Sequence, residues 1–278
     1  GRVMYYPGHI QKAKRQIQEN IKSVDAVVEL LDARIPMTSR AYEAEKLFHN
    51  KQRIVVLNKS DLADPQITQL WRQHFSSQGT DVIEASLMNS DARQFIIREV
   101  VPLVKSKFFE KRFMVVGMPN VGKSTFINRL KGKKSLAAGN RPGITRGVQW
   151  INVSQQIAVL DTPGILYTNL HSAHITTKLL AVGSLPYEQF DPMDAFERVL
   201  DLIVGRYGKE SLFEYAGTSF ENSEDLIDKF CRKRNFLARQ GQYDTTRGAH
   251  TFLRDVASGK AGRFSFEDPD TFYQADPV

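Results

Sequence analysis

Phe113-Met114-Val115-Val116-Gly117-Met118-Pro119-Asn120-Val121-Gly122-Lys123-Ser124 decides how the chain is read. Four apolar residues run into Gly-x-x-x-x-Gly-Lys-Ser, and a segment of helical spacing, Ser124 to Leu130, follows. Strand, glycine turn and helix in that order make a phosphate loop. The glycines let backbone N–H groups turn inward around a polyphosphate at a helix N-terminus. Lys123 would reach the β and γ phosphates, and the Ser124 hydroxyl would ligate Mg²⁺. Asn120, Val121, Gly122 and Thr125 complete the nucleotide-contacting set of this loop.

Downstream, Asp161-Thr162-Pro163-Gly164 ends the apolar run Ile157–Leu160. An acid there can hold Mg²⁺ through water, and the Gly164 N–H can meet a γ-phosphate. Between the two motifs, Pro142-Gly143-Ile144-Thr145-Arg146 has the composition of a switch loop, and Thr145 is the candidate second Mg²⁺ hydroxyl. Upstream, Asn58-Lys59-Ser60-Asp61 follows the run Ile54–Leu57. Guanine presents N1–H and an exocyclic amine side by side, and one carboxylate accepts both. Asp61 takes that part, Asn58 braces the loop and Lys59 covers the base. Adenine would leave the acid unpaired, and sites built this way discriminate strongly. Ser86, in Ala85-Ser86-Leu87 after the next apolar run, can bring backbone N–H groups to the base oxygen.

The first two-thirds alternates apolar runs (26–31, 53–57, 81–83, 113–116, 148–153, 157–160) with helix-like segments (10–22, 39–49, 64–77, 90–106, 122–131). That alternation predicts an α/β fold with a doubly wound, mostly parallel sheet. A Ser154-Gln155-Gln156 turn predicts one antiparallel hairpin at its edge. After about residue 172 only helical spacing remains, near 174–184, 192–206, 223–239 and 245–257, with Ser223 as the cap of the third segment. The expected organisation is a P-loop GTPase domain over 1–172 and a small all-helical domain over 173–278, its last dozen residues a loosely held tail. The base motif precedes the phosphate loop, whereas Ras-like GTPases place it after. The GTPase domain is therefore circularly permuted. The γ-phosphate-sensing segment becomes its last part and leads into the helical domain, so nucleotide state can re-aim the basic surface of that domain.

That motif order, with Tyr6-Pro7-Gly8-His9-Ile10-Gln11-Lys12-Ala13 and Leu31-Asp32-Ala33-Arg34-Ile35-Pro36, resembles the YlqF/RbgA family of circularly permuted GTPases. The resemblance implies a bacterial factor for late assembly of the large ribosomal subunit that binds ribosomal RNA through its helical domain. Asp32 and Arg34 belong to the resemblance without a chemical role. Ras-like enzymes place a water-orienting Gln after the glycine of Asp-x-x-Gly, where this chain has Ile165, so intrinsic hydrolysis should be slow. The resemblance offers His9 as the substitute, and a histidine suits that task near neutral pH. Docking of the N-terminal segment or an RNA contact would explain His9 equally well. His9, Lys123, Thr145 and Gly164 are thus the catalytic candidates. In similar potassium-dependent GTPases an Asn at the position of Asn120 ligates K⁺ where an arginine finger would otherwise act.

The 38 Lys and Arg against 31 acids leave a net charge of +7. Lys229 to Arg263 alone holds nine basic residues and two acids, so the whole excess lies there, the footprint of a nucleic-acid-facing element. Arg232, Lys233, Arg234, Arg239 and Arg247 are the RNA-contact candidates. Phe236 and Phe252 among them are expected in the core rather than stacked on bases. A hydrophobic fraction of 41% with 25% charged residues excludes a disordered chain, a collagen-like repeat or a disulfide scaffold. The single cysteine, Cys231, points to a reducing, cytoplasmic compartment. There is neither a signal-peptide pattern at residues 1–6 nor an apolar run long enough to span a bilayer, so no membrane partner is expected. The expected protein is a monomeric GTP/GDP switch using Mg²⁺ and K⁺, with the large ribosomal subunit or its precursor as partner. A switch acting on the small subunit or transfer RNA, and a scaffold that binds GTP without hydrolysing it, stay open.

Overall fold

β1 (Ala26–Asp32) is buried at every residue, as a parallel strand covered on both faces must be. In the computed structural model, which describes residues 7–40, 44–48, 50–118, 120–132, 148–162 and 172–275, it lies at the middle of a six-stranded sheet. β2 (Gln52–Asn58), β3 (Asp81–Glu84), β4 (Lys111–Gly117), β5 (Gln149–Ser154) and β6 (Ile157–Asp161) complete it in the order β3-β2-β1-β4-β6-β5. All neighbours are parallel except β5, which pairs antiparallel with β6. β5 alternates exposed and buried residues, the pattern of an edge with one face in water. The fold expected from the alternation of runs is the one observed.

The helices around this sheet are α1 (Pro7–Asn20), α2 (Ala44–Phe48), α3 (Pro65–Ser77), α4 (Ala92–Phe95) and α5 (Lys123–Lys131). Ile17, Val24, Val27, Phe48, Met114, Val116 and Leu160 form one core cluster beneath α1 and α2. The sheet order reverses between β1 and β4, and ligands of open α/β sheets bind outside the strand ends at such a point. The phosphate loop leaves β4 there, and the Asp32-Ala33-Arg34 turn leaves β1 beside it.

The chain divides into two compact units. One contains the described residues of Met4–Asp61, Pro65–Thr168 and Asp268–Val278; the other contains Leu62–Asp64 and the described residues of Asn169–Glu267. The second unit is built from α6 (Ala173–Ala181), α7 (Pro192–Tyr207), α8 (Phe213–Ala216), α9 (Ser223–Arg234) and α10 (Thr245–Ser258). Phe196 of α7 and Phe252 of α10 meet edge to face at 5.0 Å, and a Cβ on Gly248 would fall 2.5 Å from Cys231 Sγ, so α9 and α10 approach closely. Within the same unit Arg263 Nε donates to Ala63 O at 2.9 Å and the Tyr207 hydroxyl to Asp64 Oδ2 at 2.9 Å.

Several local expectations are corrected. The helix expected over 90–106 breaks into α4, a π-helical turn at Ile96–Val100 and a 3₁₀ turn at Val101–Leu103. Pro102 has no N–H, and its ring crowds the carbonyl four residues back. The segment expected over 223–239 stops at Arg234, because Asn235 turns left-handed (φ 57°) and donates to Arg232 O and Cys231 O. Its cap is Asn222, whose side chain accepts from Asp225 N, rather than Ser223. The tail is not loose over the described residues. Glu267 is buried against Lys178 at 3.0 Å, and α11 (Pro269–Ala275) brings Phe272 edge-on to Trp71 at 6.5 Å.

Candidate nucleotide site and basic face

Asn58 ends β2 with only 2% of its surface exposed. Its Nδ2 donates to Val121 O at 2.8 Å, and its Oδ1 accepts from Leu87 N at 3.0 Å. One buried amide thus ties the Asn58-Lys59-Ser60-Asp61 loop to the phosphate loop and to the Ser86–Leu87 turn. Gly122 completes the joint with φ 99°, a conformation that favours glycine, and a Cβ there would lie 2.4 Å from Asn58 Nδ2. Neighbouring bonds hold the same turn: Ser60 N donates to Ala85 O at 3.0 Å, and Arg129 Nη1 of α5 donates to Leu87 O at 2.9 Å.

Lys59 has φ 60° and its Nζ donates to Asn120 O at 2.9 Å, so it too reaches the phosphate loop. Asn120 itself turns left-handed (φ 68°), which reverses the chain ahead of α5. Asp61 sits exposed in the 3₁₀ turn Ser60–Leu62, open to a base edge. Ser86 is half-buried, its hydroxyl accepting from Asn89 Nδ2 at 3.1 Å.

Lys123 opens α5 almost fully buried. Its ammonium donates to Asp161 Oδ1 at 2.9 Å and to Thr162 O, while Thr162 Oγ1 donates to Val115 O at 2.8 Å and pins the end of β6 to β4. Ser124 is exposed and Thr125 half-buried on the first turn of α5. Lys123, Ser124 and Asp161 therefore share one end of the sheet, as a site for a polyphosphate and a hard cation requires. Among the described residues no group of three or more His, Cys, Asp or Glu side chains is placed to hold a metal ion. A cation at this end would take its remaining ligands from substrate phosphates and water, the habit of Mg²⁺. Thr145 and Gly164 lie outside the described residues, as does the side chain of His9, whose backbone opens α1.

Residues 112–203 match the family described as 50S ribosome-binding GTPase. Over 270 residues the chain is 40% identical to Ribosome biogenesis GTPase A of Thermotoga maritima, an alignment covering 96% of this chain and 95% of that protein. The chain belongs to the ribosome biogenesis GTPase A family. Ribosome biogenesis GTPase A of Priestia megaterium is 35% identical over 279 residues, covering 96% of this chain and 97% of its own. The solved structure of GNP-bound YlqF from T. maritima matches with a TM-score of 0.68 and 37% identity, covering 93% of this chain and 99% of that one. Membership makes this chain a guanine-nucleotide-binding GTPase.

The five RNA-contact candidates lie at and beyond the end of α9, all exposed. Arg232 pairs with Asp228 at 3.1 Å and donates to the Tyr243 hydroxyl at 3.2 Å. Lys233 donates to Gly217 O. Arg234 stacks on the Phe230 ring at 4.4 Å with Asp255 3.6 Å away, and Arg247 stacks on Phe236 at 4.2 Å. Arg239 stands on the 3₁₀ turn Arg239–Gly241. Phe236 and Phe252 are core residues, and the rings that lie under guanidinium groups on this face are Phe230, Tyr215, Phe236 and Tyr243.

Two features of the nucleotide end went unread in the sequence. Arg129, a helix residue outside every motif, reaches across to Leu87, and no local pattern announces it. Asp32 and Arg34 form a buried pair beside Lys59, flagged by the Asp-Ala-Arg segment but given no role.

Proposed function

We propose that this GTPase is an assembly factor for the large ribosomal subunit or its precursor, docking on ribosomal RNA through the basic face of its helical unit and leaving after hydrolysis. The nucleotide half of the reading is carried by the bond from Asn58 Nδ2 to Val121 O, which makes the base-selecting loop and the phosphate loop parts of one site. The ribosomal half is supported by the names of its relatives and by a positive excess confined to Lys229–Arg263.

At this site Asp61 accepts from guanine N1–H and the exocyclic amine, while the Lys59 stem lies over the base and backbone at Ser86 meets its oxygen. Backbone N–H groups from Asn120 to Thr125 line the phosphates. Lys123 exchanges Asp161 and Thr162 O for phosphate oxygens, neutralising charge that grows in the transition state. Ser124, Thr145 and Asp161 would hold Mg²⁺, which when bound offsets charge on the phosphate oxygens. The Asn120 amide oxygen is of the donor type K⁺ takes. Gly164 N–H contacts the γ-phosphate, and His9 orients the attacking water in place of the Gln that Ile165 replaces. The protein works as a cytoplasmic monomer. No helix among the described residues is long and apolar enough to cross a membrane.

Phosphate release from GTP and ATP, in KCl and in NaCl, with and without purified large ribosomal subunits, tests this reading. Turnover restricted to GTP and rising many-fold with subunits is expected, faster in KCl. Guanine-specific binding without stimulation by subunits would remove the ribosomal assignment, and equal rates in the two salts would remove K⁺. Unchanged subunit-stimulated turnover in His9→Ala would remove the histidine from hydrolysis.

A further inference from the structure

We infer that the buried Asp32–Arg34 pair is a positioning element for guanine recognition, holding Lys59 where its stem covers the base. The inference rests on the base-binding reading of Asn58-Lys59-Ser60-Asp61 and adds two residues to it.

β1 and β2 run in register, with Asp32 beside Asn58, and Ala33 N donates to Asn58 O at 2.8 Å. The Asp-Ala-Arg turn is therefore hydrogen-bonded to the root of the base loop. Its own shape comes from one carboxylate. Asp32 Oδ1 accepts from Arg34 N and Nε, both at 3.0 Å, and Oδ2 accepts from Arg34 Nη2 at 2.9 Å. Asp32 N donates to Ser39 Oγ at 2.9 Å, which locks the far side of the turn. The two side chains are 0% and 2% exposed.

Asp32 Oδ2 also lies 4.0 Å from Lys59 Nζ. Lys59 occupies the left-handed region, which a residue with a Cβ seldom adopts, and such conformations persist where the surroundings over-determine them. Here the far end of the side chain is held twice, by Asn120 O of the phosphate loop and by the Asp32 carboxylate. The stem between those ends bridges base loop and phosphate loop. Burial would raise the Asp32 carboxyl, yet Arg34 and Lys59 hold it below its ordinary value, so it stays charged. Burial pulls the Lys59 ammonium down, with Arg34 adding to that shift and Asp32 and Asp61 opposing it.

Stability is a weak reason for such a pair, because well-packed apolar residues of similar volume commonly serve a fold as well or better. What an apolar pair could not do is attract an ammonium to one fixed point while forming a rigid turn. Arg34 alone would repel Lys59, so its fork on Asp32 is needed to leave a carboxylate oxygen facing the lysine.

The test is a mutational cycle on the full chain, read by fluorescent-GDP affinity and by melting temperature. Asp32→Leu with Arg34→Met should melt within about 4 °C of the wild type and bind GDP about tenfold more weakly. In a Lys59→Met background the same double change should cost less than about twofold, since the ammonium through which the pair holds the stem is gone. A GDP affinity within twofold of wild type in the folded double variant would overturn the inference. So would an undiminished tenfold loss in the Lys59→Met background, which marks a general structural effect. Should the apolar pair fail to fold, Asp32→Glu keeps the charge on Arg34 but moves the oxygen facing Lys59. A loss of about threefold that vanishes with Lys59→Met is then expected, and no loss overturns the inference. Asp61→Asn serves as the control. If that change leaves GDP binding intact, the base-site reading itself fails, whereas a normal Asp61→Asn loss beside an inert Asp32–Arg34 pair rejects this inference alone.

Discussion

The nucleotide end of the sheet and the basic face of the helical unit use polar residues in opposite ways. At the sheet, Asn58, Asp32, Arg34 and Lys123 are buried and paired through short bonds to backbone or to one another. On the helical unit, Arg232, Arg234 and Arg247 lie on the surface, leaning on aromatic rings or single acids. Buried polar groups must be satisfied, so each partner at the nucleotide end is specified and the site can discriminate. Exposed guanidinium groups need only reach and charge, which suits phosphate contacts that carry little sequence information. Under the proposed function, this contrast would put base selection in the sheet unit and salt-dependent docking in the helical one.

Four experiments bear on that contrast, in decreasing size of expected effect. Asp61→Asn replaces an acceptor for guanine's two donors with an amide that suits xanthine's carbonyl. The ratio of guanine to xanthine nucleotide affinity should fall by roughly four orders of magnitude, and nucleotide competition measures it. A small change there would make the sheet site as permissive as the helical face. Lys123→Ala removes the buried ammonium at Asp161 and should lower kcat for GTP by a hundred- to a thousandfold, about the loss for one preorganised donor. Replacing Arg232, Arg234 and Arg247 together by Ala should weaken RNA binding at low salt about equally across sequences. It should also reduce the slope of log K against log salt by about three, with GTP affinity unchanged. Sequence-selective loss would mean that the helical face also reads bases.

The smallest effect concerns pH. Burial and the bond to Asp64 push the Tyr207 hydroxyl up to about 12 from 10.0. A phenol raised in the folded state favours the neutral fold. Its contribution is complete below its unfolded value and is lost as pH climbs from about 10 towards 12. Tyr207→Phe should cost about 1–2 kcal/mol at neutral pH through the lost hydroxyl bonds and flatten the alkaline limb of the stability curve, both read by denaturant unfolding.

Much of the nucleotide end was legible because its chemistry is local. Gly117 to Ser124 and Asn58 to Asp61 are each marked by a pattern only a few residues long, and the apolar runs before them announce strands. The hairpin at Ser154–Gln156 was equally plain. What stayed hidden depends on distant partners or on competition between adequate local choices. Asn222 and Ser223 can both cap a helix; in the fold Asn222 takes Asp225 N while the Ser223 hydroxyl turns to Glu197, a residue 26 positions away. Pro102 was in view, yet the helical spacing around it masked the break. Phe272 showed no sign of a destination until the chain brought it to Trp71.

Residue order alone pointed to a phosphate loop, a segment of guanine-reading type ahead of it and hence a permuted GTPase, because backbone turns and base edges demand those residue types at those spacings. Folding in three dimensions established that one amide, Asn58, holds the two motifs together across 63 residues, and that Asp32 and Arg34 stand beside Lys59. Such pairings come from strand order and register, which bring together residues that no local pattern relates.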